Sequence, residues 1–195
     1  MLYWIGAMCL LLVSYLVFWV LFRRDYQTRG KLSPLSLLLG ILVLTLHANF
    51  PYAFLPVQWP GFPALPTNPI HTWISLGIMT MGGISTLGCM GYLSFSTTLG
   101  QGSKGLRQTG PYRWTRNPQL LAYGLVVVGF ASLYPSLESG GWILLYAVIA
   151  HMMVIPEEEH LWVTFGDSYQ AYCAQVPRYL WKTSDQDKKF RSFEE

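Results

Sequence analysis

The stretch MLYWIGAMCLLLVSYLVFWVLFRR, Met1 to Arg24, carries no charge until its last two residues. At ~1.5 Å per residue, residues 1–22 reach across a ~30 Å hydrocarbon core as one helix. No basic segment precedes the apolar run and no small-residue cleavage motif precedes Arg23, so the pattern reads as a retained membrane helix rather than a cleaved leader. The rest of the chain agrees. Of its 195 residues, 52% are hydrophobic and only 12% charged, about half the charge of an ordinary soluble domain. The expectation is an all-α integral membrane protein with one domain over residues 1–181 and a polar tail over residues 182–195.

Four further apolar segments follow the first. The spans are expected at about residues 1–22, 35–57, 70–95, 119–135 and 141–155. The last two are near the lower length limit for a crossing. The short link Ser136-Leu-Glu-Ser-Gly-Gly141 makes them an antiparallel hairpin. The third span holds Gly77, Gly82, Gly83, Gly88 and Gly91, a density that lets helix backbones approach closely in a membrane. Five spans place all thirteen Lys and Arg residues on one face and leave only Glu138 in the opposite loops. The positive-inside rule then puts the N-terminus outside and the C-terminus in the cytoplasm. Residues 156–176 read as cytoplasmic amphipathic helices, with Leu161, Trp162, Phe165, Tyr169, Tyr172 and Val176 at helical spacing. Pro156 suits a first-turn position, and Asp167 suits a cap after Gly166.

Several chemistries are excluded or set aside. The three cysteines, Cys9, Cys89 and Cys173, are odd in number and not at ligand spacing, so they read as free thiols. The four histidines are badly spaced for a metal; His151, one turn before the acidic run, is the one closest to any chemistry. Gly100-Gln-Gly-Ser-Lys-Gly105 matches G-x-G-x-x-G, but no strand precedes it, so it is a loop and not a dinucleotide fingerprint. The basic residues are accounted for by topology, and nucleic acid is not an expected partner.

Two segments carry chemistry. One is the connector Leu106-Arg-Gln-Thr-Gly-Pro-Tyr-Arg-Trp-Thr-Arg-Asn-Pro118. The other starts at Pro156-Glu-Glu-Glu-His160 and runs through Phe165-Gly166, Tyr169 and Tyr172 to Val176-Pro-Arg178. The hairpin of spans four and five brings both to one mouth. Three consecutive glutamates on a helix point in three directions, so they cannot all face water equally. Beside Arg113 and Arg116 they form a cluster of both signs, suited to a zwitterionic or cationic ligand.

These residues resemble the isoprenylcysteine carboxyl methyltransferase family, a wide group that includes phospholipid N-methyltransferases. The likeness rests on Leu106, Gly110, Tyr112, Arg116, Asn117 and Pro118, then on Glu157, Glu158, Phe165, Gly166, Tyr169, Tyr172, Val176 and Pro177. It covers about the last ninety residues. It implies a membrane enzyme that uses S-adenosyl-L-methionine, releases S-adenosyl-L-homocysteine and acts from the cytoplasmic side. The resemblance assigns cofactor contacts to Leu106, Thr109, Gly110, Pro111, Tyr112, Asn117, Glu157 and Glu158. Arg116 and Glu157 are the candidate catalytic residues, with Arg116 positioning an acceptor carboxylate and Arg178, after Val-Pro, as a second candidate contact to the acceptor in place of the missing family arginine. No metal is implied. The acceptor is expected to be amphiphilic and to enter from the bilayer. The first expectation is the carboxylate of an isoprenylcysteine-like substrate, which is ionised at neutral pH and needs no general base. The second is a phospholipid or other lipid amine, and the third is a scaffold that binds lipid or a partner without catalysis. Met153 stands where the isoprenylcysteine enzymes place an arginine, and Leu120 and Ala122 also depart from the family pattern.

Overall fold

A computed structural model describes residues 2–93 and 105–180. Among these residues the chain is helical, with no strand. Helix α1 spans Leu2–Arg29, with a π-helical stretch at Tyr15–Phe22. It ends at Gly30, whose φ of 65° stops the helix. The Asp25 carboxylate accepts the Ser33 N–H at 2.7 Å. Ser33 in turn caps α2, Pro34–Asn49, by accepting the Ser36 N–H at 3.2 Å, with Pro34 in the first turn. A 3₁₀ turn at Phe50–Ala53 continues α2. Helix α3 spans Pro69–Leu93, α4 Pro118–Leu133, α5 Leu137–Phe165 and α6 Asp167–Gln175.

Among the described residues, four helices are long and apolar enough to cross a membrane: Leu2–Arg29, the α2 unit Pro34–Ala53, α3 and α5. The fifth expected span, α4, has 16 residues, about 24 Å of helix, which falls short of a ~30 Å core. Its brevity is matched by close support. Gly82 of α3 lies where a Cβ would meet Ala122 O at 2.7 Å, and Gly129 of α4 where one would meet Ser75 O at 2.9 Å. Backbone thus packs on backbone along the α3–α4 pair. Among the described residues, Gly77, Gly83, Gly88 and Gly91 have no such neighbour within 4 Å, so the close approach seen on α3 is at Gly82.

The α4–α5 hairpin forms as its tight link implies. Ser136 caps α5 by accepting the Ser139 N–H at 3.1 Å, and the Tyr146 hydroxyl donates to Leu120 O at 2.6 Å. Helix α5 is the centre of the molecule. Leu145 and Ile149 pack with Ala7, Leu10, Val17 and Phe18 of α1, while Trp142, Tyr146 and Ala150 pack with Val127 and Ala131 of α4.

Four expectations need correction. Residues 141–155 and the start of 156–176 are not two elements, because α5 runs unbroken from Leu137 to Phe165 with Pro156 inside it. An interior proline loses one helix hydrogen bond, but Ile155 and Pro156 are buried against neighbours that hold the helix together. Asp167 begins α6 without capping it: Gly166 occupies the cap position and makes no side-chain bond. The first helix continues past residue 22 to Arg29, and the second ends at Ala53 rather than residue 57. The Gly100–Gly105 loop, Gly105 excepted, lies outside the described residues, as do the end of the third span and the tail from residue 182.

Candidate active site

At the Pro156 end of α5, the connector after α3 and the chain after α5 fold onto each other. Gly110 makes the connector turn, with φ of 60° and a ring carbon of Tyr92 2.8 Å from where a Cβ would sit, so no side chain fits there. Helix α6 then clamps the turn. The Tyr172 hydroxyl donates to Tyr112 O at 2.6 Å. The Arg116 N–H donates to Pro177 O at 2.9 Å. Thr115 and Asn117 both donate to Arg178 O, at 3.1 and 3.2 Å. Tyr169, Tyr172 and Val176 bury themselves against Leu106, Leu161, Trp162 and Phe165. The apolar face of this amphipathic segment therefore seats on protein, and the connector is fixed by one backbone–backbone bond and three bonds from the Tyr172, Thr115 and Asn117 side chains to backbone carbonyls.

Successive helix positions rotate by about 100°, and the three glutamates take three fates. Glu159 turns to α1 and pairs with Arg23, whose Nε donates to Oε2 at 2.7 Å. Glu158 turns inward and is buried. It binds Arg178 through Oε2 at 2.9 and 2.6 Å, and its Oε1 lies 3.4 Å from Arg116 Nη1. The Arg116 guanidinium also contacts the Cys173 sulfur. Burial raises the pKa of the Cys173 thiol in spite of that neighbouring cation, so it stays protonated at neutral pH. Glu157 turns into a cleft and makes no hydrogen bond or salt bridge with the described residues.

That cleft has about 900 Å³ of empty space, its open mouth included. Of the residues singled out from sequence, Leu106, Tyr112, Arg116, Asn117, Glu157 and Glu158 line it. Thr109, Gly110 and Pro111 do not; Thr109 instead meets the Tyr92 hydroxyl on the exposed side of the turn. Arg178 also lies outside the lining and is held by Glu158. The Tyr112 hydroxyl and Gln119 Oε1 are buried in the wall with no hydrogen-bond partner among the described residues. Such orphans fit a ligand that arrives with its own polar groups. Burial, then the nearby Glu157, raises the Tyr112 hydroxyl far above its ordinary range, so it remains a donor.

Among the lining residues given no site role from sequence are Tyr26, His160 and Gln119. Tyr26 comes from α1 and stacks on His160, with ring centroids 4.5 Å apart and planes within 8°. His160 sits three positions after Glu157, hence on the same helix face, a spacing that could have found it in place of His151. His151 lies outside the cleft and meets the Tyr179 hydroxyl at 3.1 Å. Gln119 begins the first turn of α4. A single glutamine after Asn-Pro gives no sequence signal, and Tyr26 is visible only once α1 is known to extend past the arginines.

No curated protein and no solved structure matches the chain. A family model for phospholipid methyltransferases matches residues 70–168, from the start of α3 to the start of α6. The matched window contains both the connector and the glutamate run, the two segments whose meeting makes the cleft. With half of its length in one continuous match, the chain belongs to the phospholipid methyltransferase family, within the isoprenylcysteine carboxyl methyltransferase group.

Proposed function

We propose that the protein transfers the methyl group of S-adenosylmethionine to the amine of a membrane lipid and releases S-adenosylhomocysteine. The observation that carries this reading is the Glu157 carboxylate, which lines the cleft without a partner among the described residues. The cleft residues suit the donor. Glu157 supplies negative charge for its cations, Tyr112 and Tyr172 supply aromatic surface, and Asn117 and Arg107 supply hydrogen-bond donors. When bound, the donor supplies an electrophilic methyl group on a positively charged sulfur. What remains for the protein is to align the acceptor with it and to manage one proton. An ammonium has no lone pair, so it must lose a proton before its nitrogen can attack. The free carboxylate of Glu157 is the base within the cleft that can take it. The sorting of Lys and Arg in the sequence supports a cytoplasmic cleft and an outside N-terminus, with α4 crossing a locally thinned or protein-supported layer.

A carboxylate acceptor of the isoprenylcysteine type is the second reading. It would use Arg116, which lines the cleft, with Arg178 behind it. Two features weigh against it. Both arginines are engaged by Glu158, which offsets one of their two charges. Met153, in place of an arginine, gives a carboxylate no cation on that face of α5. The family described by the matching model is also that of phospholipid enzymes.

The decisive experiment supplies purified protein with methyl-labelled donor and either phosphatidylethanolamine vesicles or a farnesylated cysteine. Base-stable label on the lipid is the expected result. Base-labile label on the farnesylcysteine would establish the ester reading instead. Folded protein that gives no calorimetric signal with the donor would leave only a lipid-binding scaffold.

A further inference from the structure

A second cavity adjoins the cleft, with about 560 Å³ of empty space. Its walls are Phe18, Phe22 and Tyr26 of α1, Leu32, then Leu37, Gly40, Ile41 and Leu44 of α2, with Met153 and Glu157 of α5 and Gln119 of α4. It is the more apolar of the two, since eight of its eleven lining residues are aliphatic, Phe, Met or Gly. Ile41 lines the chamber and is 46% exposed, so the chamber is open at α2, where a bilayer would lie. Three residues, Tyr26, Gln119 and Glu157, line both cavities. They form a shared wall of polar side chains between the chamber and the cleft. The helices α1 and α2 that build most of the chamber fall outside the family match, which begins at residue 70.

Resting on the methyltransferase reading above, we infer that the chamber between α1, α2 and α5 takes the hydrocarbon chain of the acceptor, and that Gln119 positions the acceptor's polar group at the shared wall. The chain belongs there because the chamber offers no charge except at the wall it shares with the cleft. Met153 and Glu157 are four positions apart on one face of α5, so the chamber changes from hydrocarbon to carboxylate within one helical turn. An amphiphile has that same sequence of groups. Gln119 is the positioning residue because its Oε1 is buried at the junction without a partner among the described residues. An unmet amide oxygen weakens the fold, and a lipid amine donating to it would remove that deficit when bound. Glu157 lies on the same wall to receive the amine's proton, so Gln119 acts through placement and does not itself exchange a proton.

Gln119→Met keeps the size and removes the amide. The expected result is a loss of about tenfold in kcat/KM for phosphatidylethanolamine, the scale of one hydrogen bond, with donor affinity by calorimetry within about twofold. The Tm of this variant should hold or rise, because an unsatisfied buried oxygen has been removed. A purely structural glutamine would instead lower Tm and weaken donor and acceptor together, and that outcome overturns the inference. Met153→Trp fills the chamber. It should raise KM for long-chain phosphatidylethanolamine and spare a short-chain analogue; equal effects on both would remove the chain from the chamber. A readout independent of turnover comes from a phosphatidylethanolamine with a photoreactive group on its acyl chain. Cross-links should map to residues 37–44 and 153. Cross-links confined to the outward face of α3 overturn the inference while leaving the methyltransferase reading intact. Failure of the wild-type protein to bind the donor would overturn that reading, and the role of Gln119 with it.

Discussion

Helix α5 has a closed polar end and an open one. Near its start, His47 is fully buried and stacks on Trp142, with centroids 5.1 Å apart and planes within 11°. The Trp142 indole donates to His47 O at 2.9 Å, and aromatic rings of Phe130 and Tyr146 close the surroundings. Near its other end, Glu157 faces a cleft while the next two residues, Glu158 and Glu159, are tied to arginines. Both ends place polar groups inside an apolar helix bundle. At the closed end those groups join helix to helix. At the open end two of three carboxylates do the joining, and the third lines a cleft. A buried polar residue is therefore not a functional signal by itself; what distinguishes Glu157 is an adjacent cavity and the absence of a protein partner among the described residues.

That contrast can be broken experimentally. The largest effect is expected from Glu158→Ala, which strands Arg116 and Arg178 near each other in a buried site. Removing one member of a buried ion pair destabilises by about 3–5 kcal/mol, to be read as a large fall in Tm with the connector released. A small change would mean that Glu158 does not join the connector to α6. Next comes Glu157→Gln, expected to slow methyl transfer about a hundredfold, the lower range for loss of a general base, while Tm is unchanged or higher. A parallel fall in Tm would return Glu157 to a structural role and erase the difference between the two ends. Trp142→Phe tests the closed end. It removes one hydrogen bond and part of a buried ring, so it should cost about 1–3 kcal/mol of stability and leave donor affinity alone. The smallest effect is expected from Glu159→Gln. Its pair with Arg23 is about one third exposed on both sides, and such pairs contribute about 0–1 kcal/mol. A loss of turnover comparable to that of Glu157→Gln would mean the wrong glutamate faces the cleft.

The class of the fold was legible because the bilayer imposes a simple rule: long uncharged segments must be helices that satisfy their own backbone. Residues 1–22 and 70–95 needed nothing more. Less legible were the ends of elements. Pro156 argued for a break, yet neighbours packed around Ile155 and Pro156 carry the helix through to Phe165. Arg23 and Arg24 argued for an end, yet α1 continues, and that continuation carries Tyr26 to the cleft. The meeting of the connector with the glutamate run followed from a short hairpin link. What escaped the sequence were contacts made through backbone atoms, such as Arg116 N–H to Pro177 O, which no side-chain pattern encodes.

The sequence by itself determined that the chain is a bundle of membrane helices, that three adjacent glutamates must diverge, and that the connector carrying Arg116 would meet them. These follow from hydropathy, helical periodicity and one tight turn, all properties of neighbours along the chain. Only the tertiary structure decided which glutamate is left without a partner, and that Tyr26, Gln119 and Glu157 form one wall between two cavities. Those outcomes depend on which side chains from α1, α4, α5 and α6 arrive at the same point, and that is set by packing between distant segments.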